Sequence, residues 1–237
     1  MNNRTSADRF AGGAASRPAV NPLTGSKMEQ HAPIDRGPSS PAAVDAFRAL
    51  ATRLLAISQD RLVVLVAPVT AGSGASHVAR NLAVTMASDE QQATVLVDCD
   101  VRHPSQQAAL RIEPTNGGLI DYLEDAQRAP DSLLHDSGVP RLRLLPAGVP
   151  RDTDAGYSPT PRMRQLVDTL RDAPPGCHVF LDAPPVRNGP DARSLSGLAD
   201  VVILVAGHGR DTAPAIAQAA AMFDSGKFAG VVFNEGV

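Results

Sequence analysis

The sequence predicts an α/β fold with a doubly wound, mostly parallel β-sheet and helices on both of its faces. Apolar runs such as 61–67 and 201–205 lack alternating polar residues, which is typical of strands buried on both faces of a parallel sheet. Segments with apolar residues at helical spacing separate these runs. Strands that alternate with helices form βαβ units with right-handed crossovers.

The predicted domain begins after an N-terminal segment of different composition. Residues 1–42 are rich in Asn, Ser, Gly, Ala and Pro and have no apolar periodicity, so we expect a disordered tail. Residues 43–237 are long enough for one sizeable α/β domain. Its core must consist of Val, Leu, Ile and Ala, because aromatic residues make up only 3% of the chain.

The elements follow one another along the chain at regular intervals. An amphipathic helix over 42–57 precedes a buried strand over 61–67, a Gly/Ser loop over 71–76 and a helix over 76–88. A second buried strand over 94–97 ends in two aspartates. The later predicted elements are helices over 104–111, 117–126, 161–171, 191–198 and 212–225, strands over 142–145, 179–181, 201–205 and 228–233, and a loop over 150–160.

Composition excludes several classes of function and favours a cytoplasmic location. The formal net charge of −3 gives no overall attraction to nucleic acid or anionic lipid. The only cysteines, Cys99 and Cys177, are distant in sequence and indicate a reducing compartment. The histidines and cysteines lack metal-ligand spacing. No signal peptide is evident, and the apolar runs are far shorter than the ~20 residues of a membrane-spanning helix, so membrane recruitment would need a partner.

A glycine-rich loop lies between the first buried strand and its helix. Gly72, Ser73 and Gly74 precede Ala75 and Ser76. Such loops bind phosphates with backbone N–H groups at a helix N-terminus, a lysine that reaches the phosphates and a hydroxyl that ligates Mg²⁺. Ala75 occupies the lysine position. The alternative interpretation of this segment alone is a simple turn at a helix start.

Carboxylates follow two other buried strands. Asp98 and Asp100 come after the second strand, and Asp182 follows the strand over 179–181. Carboxylates at the carboxyl end of a parallel sheet can hold hydrated Mg²⁺ or accept a proton from a hydroxyl nucleophile. Helix caps and turns are the alternative roles for each aspartate.

The order and spacing of these segments resemble the bacterial tyrosine kinases of capsule and exopolysaccharide export, which are relatives of the MinD/ParA P-loop ATPases. The similarity covers about 45–234. It rests on the helix start 45–50, the Walker A-like 72–76 with 79–83, the Walker A′-like 97–104, the landmarks 117–123 and 145–148, the Walker B-like 181–185 with 191–192 and 199–200, and the final strand 230–234.

The resemblance implies a P-loop NTPase-like fold and assigns roles by position. Asp98 and Asp100 would be the catalytic aspartates of a degenerate site, with Mg²⁺ held by Ser76, Asp98 and Asp182. ATP or ADP would contact the loop residues, together with two further side chains. These nucleotide-binding positions are Gly72, Ser73, Gly74, Ala75, Ser76, His77 and Arg102.

Departures from the family pattern predict lost or impaired catalysis. Without the lysine, nucleotide should bind roughly 10- to 150-fold more weakly, since a charged hydrogen bond contributes ~1.5–3 kcal/mol, or not at all. His77 stands where a small residue is usual, and Ala51 and Arg53 replace the Arg and Asn of the oligomerising helix. The family's C-terminal tyrosine cluster has no counterpart, because Tyr122 and Tyr157 are the only tyrosines.

Three functions fit the sequence. The first is a pseudokinase-like regulator of polysaccharide export that binds the cytoplasmic end of a membrane polysaccharide co-polymerase, with a homo-oligomer left open. The second is an active kinase or ATPase in which Arg80, Arg102 or an arginine of another subunit replaces the lysine. The third is a MinD/ParA-type positioning ATPase, which the negative charge and the lack of a membrane-targeting helix disfavour.

Overall fold

The computed structural model describes residues 41–58, 61–149, 160–172 and 177–234. The predicted tail lies outside this part of the chain except for its last two residues, and so does the predicted loop over 150–160 except for Thr160. The described part contains helices α1 (Pro41–Ile57), α2 (Ala75–Ala87), α3 (Gln106–Ala109), α4 (Leu119–Glu124), α5 (Pro161–Arg171), α6 (Asp191–Ser196) and α7 (Ala213–Ala220).

The strands of the described part form one seven-stranded sheet. Their order is β3-β4-β2-β5-β1-β6-β7, and every neighbouring pair is parallel except β3 and β4. The strands are β1 (Val63–Pro68), β2 (Ala93–Asp98), β3 (His135–Asp136), β4 (Leu142–Leu145), β5 (Cys177–Asp182), β6 (Val201–Gly207) and β7 (Phe228–Asn234). The predicted doubly wound sheet is therefore confirmed.

The core lies on both faces of the sheet, as predicted from strands that lack alternating polar residues. Val63 and Leu65 of β1 pack into a cluster with α5, α6 and α7, whereas Val64 and Val66 pack into a second cluster with α1 and α2. Every residue of β1 is buried. Because successive side chains of a strand point to opposite faces, an uninterrupted apolar strand is suited to a sheet covered by helices on both sides.

Four predicted helices are shorter than the sequence pattern indicated. The predicted helices over 117–126 and 191–198 are reduced to Leu119–Glu124 and Asp191–Ser196. The segment 104–111 contains only the single turn α3, and Arg111 just after it has a positive φ of 54°, which ends the helix. The segment 212–225 stops at Ala220, followed by a turn closed by the backbone bond from Phe228 to Asp224. The predicted helices over 161–171 and 42–57 match α5 and, within a residue, α1.

Side-chain caps fix the beginnings of two helices that face the core. Thr160 Oγ1 accepts a hydrogen bond from the backbone N–H of Met163, and Pro161 occupies the first position of α5. Thr212 caps α7 in the same way through the N–H of Ala215. Threonine before a proline-containing first turn is a favourable helix start. None of the described helices is both long and apolar enough to cross a membrane.

Candidate functional site

The glycine-rich loop connects the carboxyl end of β1 to α2. Gly72 and Gly74 have φ values of +80° and +89°, a region that glycine adopts without strain. Ala75 begins α2, and no side chain caps this helix. The first N–H groups of α2 therefore remain for an external acceptor. A helix N-terminus with such N–H groups is a site for phosphate.

The turn after β6 holds this loop from the neighbouring strand. The Asp211 carboxylate accepts hydrogen bonds of 2.6 Å from Thr70 Oγ1, 2.7 Å from Ser73 Oγ and 2.8 Å from the N–H of Gly207. Burial raises the pKa of Asp211, but these hydrogen bonds and the charge of Arg210 outweigh burial, so its pKa is lowered overall. The charged carboxylate thereby fixes the conformation of the loop.

Asp98 ends β2 and is fully buried. Its Oδ2 accepts hydrogen bonds from the backbone N–H groups of Ser105 at 2.9 Å and Gln106 at 3.0 Å, and its Oδ1 accepts one from Asp100 at 3.3 Å. Asp100 itself accepts a bond from the N–H of His103. Both predicted catalytic aspartates thus organise the turn after β2.

Asp98 and Asp182 lie directly opposite each other on the adjacent strands β2 and β5. Both are completely buried. Burial and, after it, the neighbouring charge of Asp98 raise the pKa of Asp182 to about 8. Burial likewise raises the pKa of Asp98 to about 6. Two buried carboxyl groups that share a site resist double ionisation. We therefore expect the pair to hold a proton or to bind a cation.

Gln106 at the start of α3 joins the two acidic clusters to α2. Its side-chain Nε2 donates to Asp182 Oδ2 at 2.7 Å and to the backbone oxygen of Ser76 at 2.9 Å. Its Oε1 accepts a 2.9 Å hydrogen bond from Arg80 Nη1. Gln106 is fully buried. This contact set makes one neutral amide the link between β5 and the first turns of α2.

Two of the predicted nucleotide-binding side chains lie against other parts of the protein. The His77 ring packs 6.2 Å, centre to centre, from the ring of Phe47 on α1. Burial, followed by the charge of Arg80, lowers the pKa of His77. Arg102 forms an ion pair with Asp191 at 3.7 Å. Within the described part of the chain, neither side chain forms a hydrogen bond or an ion pair with the glycine-rich loop.

A cleft opens beside Asp100 next to these elements. Its lining combines charged and apolar side chains. The lining residues are Cys99, Asp100, Val101, Arg102, Leu119, Leu123, Met163, Pro184, Asp191 and Leu195. Burial, then the charges of the nearby aspartates, raises the pKa of the Cys99 thiol well above its usual value. Cys99 therefore serves as a packing residue of the core.

The residues present fit Mg²⁺ and phosphate. Asp182 Oδ1 is buried and has no hydrogen-bond partner within the described residues, which is an acceptor suited to a cation or its water. The Ser76 hydroxyl on the first turn of α2 lies close enough to the Asp182 carboxyl to lower its pKa. Mg²⁺ binds through one or two carboxylates together with water and phosphate, so it does not require a larger cluster. Among the described residues no group of three or more His, Cys, Asp or Glu is arranged around a metal.

Sequence reasoning missed four residues of the site. Gln106, Arg210 and Asp211 had no pattern that distinguished them from helix and turn residues. Asn234 was noted only as the end of the last strand, but its Nδ2 donates to the Ser73 oxygen at 3.2 Å. A Cβ on Gly74 would lie 2.1 Å from this nitrogen. The sheet order, which places β6 and β7 beside β1, brings these residues to the loop.

Comparisons with known proteins identify relatives of this chain. A scan against protein-family models finds no match. The chain is 32% identical over 219 residues to the putative tyrosine-protein kinase EpsB of Ralstonia solanacearum, a match that covers 90% of this chain. It spans only 28% of the length of EpsB.

Solved kinase domains share the fold. The kinase domain of the Escherichia coli tyrosine kinase ETK superposes with a TM-score of 0.73 at 24% identity, covering 82% of this chain and 76% of that chain. The kinase domain of VpsO superposes with a TM-score of 0.71 at 25% identity, covering 81% of this chain and 94% of that chain. The Pyrococcus furiosus cell division ATPase MinD has the same fold at a TM-score of 0.59 and 18% identity, covering 73% of this chain and 70% of that chain.

Proposed function

Because the chain belongs to the family of bacterial tyrosine kinase domains within the MinD/ParA-like P-loop proteins, we propose that it is a pseudokinase-like regulator of exopolysaccharide export. It acts by binding the cytoplasmic end of a membrane polysaccharide co-polymerase, which recruits it to the inner membrane. The nucleotide site is retained in shape but binds ATP or ADP weakly.

Ala75 carries this proposal. It occupies the first position of α2, and only 3% of its surface is exposed. Its methyl group offers no charge to a phosphate at the helix start. Lys227, the one lysine of the described residues, donates to the backbone oxygens of Ser196 and Gly197 far along the chain. Without a lysine at this position, the charge that develops during phosphoryl transfer lacks its usual partner.

The tyrosine that could accept a phosphoryl group supports the same proposal. Tyr122 is 2% exposed and lies in α4, where Arg162 stacks 4.1 Å from its ring centre. A buried, stacked phenol cannot reach a phosphate donor. Tyr157 lies outside the described residues. Tyr122 therefore does not serve as a phosphate acceptor in this fold.

The residues around the loop would hold a nucleotide as follows. The N–H groups at the start of α2 would bind the phosphates, and Ser76 with Asp182 Oδ1 would hold Mg²⁺, which supplies Lewis-acid stabilisation of phosphate charge when bound. Asp98 is held by three backbone N–H donors and can orient or accept a proton. Gln106 keeps Asp182 in place. This arrangement allows nucleotide binding and restricts phosphoryl transfer.

The second candidate is an active ATPase or kinase. The close placement of Asp98, Asp182 and Ser76 favours it, because a site without any nucleotide function has no need for a buried pair of acids. In this case another cation replaces the missing lysine in phosphoryl transfer itself, and not only in nucleotide binding. Mg²⁺-dependent turnover that Asp182→Ala abolishes, or phosphotyrosine on the purified protein that depends on Asp98, would establish this function and contradict the pseudokinase.

Calorimetric titration with Mg-ATP and Mg-ADP tests the proposed function. The native protein is compared with Ala75→Lys and with Ala75→Met, a control of similar length without charge. We expect weak binding by the native protein, a roughly 10- to 150-fold gain in affinity for Ala75→Lys, and no gain for Ala75→Met. Tight native binding that the lysine does not improve would favour the active enzyme.

A further inference from the structure

We propose that Arg210 supplies the positive charge that Ala75 cannot give to the glycine-rich loop, here also called the phosphate loop. Its guanidinium group binds the phosphates of a nucleoside diphosphate or triphosphate. The inference rests on the proposed retention of a nucleotide pocket. It adds the residue that substitutes for the lysine. From the sequence alone, the candidates were Arg80, Arg102 and an arginine of another subunit.

The sheet order brings Arg210 to the loop. β6 is the parallel neighbour of β1, with Val205 opposite Pro68. The tight turn after β6 is closed by hydrogen bonds from the N–H groups of Arg210 and Asp211 to the oxygen of Gly207. A Cβ on Gly207 would lie 3.4 Å from the Cα of Ser73. The turn and the phosphate loop are therefore in direct backbone contact.

The guanidinium group lies against the glycine of the loop. Arg210 Nη1 donates a 3.1 Å hydrogen bond to the backbone oxygen of Ala71. A Cβ built on Gly72 would lie only 2.1 Å from the same nitrogen. The guanidinium thus occupies the space that a side chain at position 72 would fill. This places a permanent positive charge on the loop itself.

Most donors of this guanidinium remain for a ligand. Arginine has five N–H donors. In the described part of the chain the Arg210 side chain donates one hydrogen bond, to the backbone oxygen of Ala71. The adjacent Asp211 carboxylate is occupied by Thr70, Ser73 and Gly207 instead. Arg210 is solvent-exposed. An exposed guanidinium fixed at one nitrogen is well suited to bidentate phosphate binding.

The two arginines considered from the sequence are held by other contacts. Arg80 Nη1 donates to Gln106 inside the protein, where only 6% of the Arg80 surface is exposed. Arg102 pairs with Asp191 at the rim of the cleft. Both contacts lie on the α3 and α6 side of the site, whereas Arg210 approaches from β6.

Calorimetric titration with Mg-ADP tests the proposal in Arg210→Ala, Arg210→Lys and Arg193→Ala, the last being a control for loss of one exposed arginine on α6. We expect Arg210→Ala to raise the Kd roughly 10- to 150-fold. Arg210→Lys should retain part of the affinity, and Arg193→Ala should retain all of it. Thermal unfolding confirms that each variant is folded.

The same substitution in the Ala75→Lys background separates this inference from the proposed function. If Arg210 substitutes for the lysine, Arg210→Ala should cost less affinity when Lys is present at position 75. Unchanged affinity of Arg210→Ala in the native background would overturn the inference and leave the pocket intact. No native binding, with binding gained in Ala75→Lys, would also overturn it while supporting the pseudokinase. Absence of binding in both proteins would contradict the pocket itself.

Discussion

Gln106 donates a 2.7 Å side-chain hydrogen bond to Asp182, although 76 positions separate the two residues in the chain. The same amide also contacts Ser76 and Arg80. It thereby satisfies three polar groups on two elements, β5 and α2, inside the protein. A buried network of this kind is stabilising only while every member has its partner.

Gln106→Leu should therefore destabilise the protein strongly. The substitution keeps the approximate volume but removes hydrogen bonds to three groups, and an unsatisfied buried polar group costs about 1–3 kcal/mol. We expect the free energy of unfolding in urea to fall by about 2–4 kcal/mol. Gln107→Leu is the matched control, because the buried Oε1 of Gln107 has no hydrogen-bond partner among the described residues. Equal stability of the two variants would contradict the network.

The acidic pair predicts an unusual dependence of stability on pH. A carboxyl group whose pKa is raised in the folded state binds more protons there than in the unfolded chain, so its stabilisation is complete below the unfolded pKa and is lost as pH rises. For Asp182 the loss spans about pH 4 to pH 8.

Asp182→Asn should remove this part of the pH dependence. Relative to the native protein, the variant should gain stability between about pH 5 and about pH 9, measured by urea unfolding. Asp168→Asn, an exposed carboxylate on α5, is the control. Added Mg²⁺ should stabilise the native protein at the higher pH but not Asp182→Asn. A constant difference between variant and native protein across this range would refute the prediction.

Asp211→Ala should loosen the glycine-rich loop. The substitution leaves the hydroxyls of Thr70 and Ser73 and the N–H of Gly207 without their acceptor. We expect faster amide hydrogen exchange over 70–76 and Gly207, with little change in β2 or α5. Because the pKa of Asp211 is lowered in the folded state, its stabilisation is present above the unfolded pKa and is lost as pH falls. Unaltered exchange in the loop would show that the hydrogen bonds do not restrain it.

Gly118→Ala should be destabilising for a purely steric reason. Gly118 precedes α4 with an extended φ of −156°, which any residue adopts. A Cβ there would nevertheless lie 2.4 Å from both the Gly148 nitrogen and the Pro146 oxygen. We expect a loss of about 1–3 kcal/mol of unfolding free energy. Gly189→Ala, where a Cβ would meet no atom within 4 Å, should be tolerated.

The sequence was sufficient for the architecture and most of the acidic site. Buried strands have an unmistakable apolar pattern, and the carboxyl ends of parallel strands meet at one edge, so Asp98 and Asp182 could be placed together in advance. The strand β3 was missed because it is two residues long and shows no period. Its pairing with β4 is a tertiary contact without a local signal.

The side chains that hold the loop could not be predicted because they depend on strand order. The sequence does not state that β6 lies beside β1, and only that neighbourhood brings Arg210 and Asp211 to Ala71 and Ser73. Gln106 is a similar case, since its amide resembles any polar residue of a short helix. His77 and Arg102 were assigned by position alone. In the structure His77 packs against Phe47 and Arg102 pairs with Asp191, and their roles in nucleotide binding stay predictions.

The two margins of the sheet differ in how they could meet another polypeptide. β3 presents only two residues of backbone, too little to template an added strand. β7 is seven residues long and, among the described residues, is hydrogen-bonded only to β6. Unpaired strand edges recruit further strands. Of the two edges, β7 therefore offers the longer stretch of backbone on which a further strand could pair.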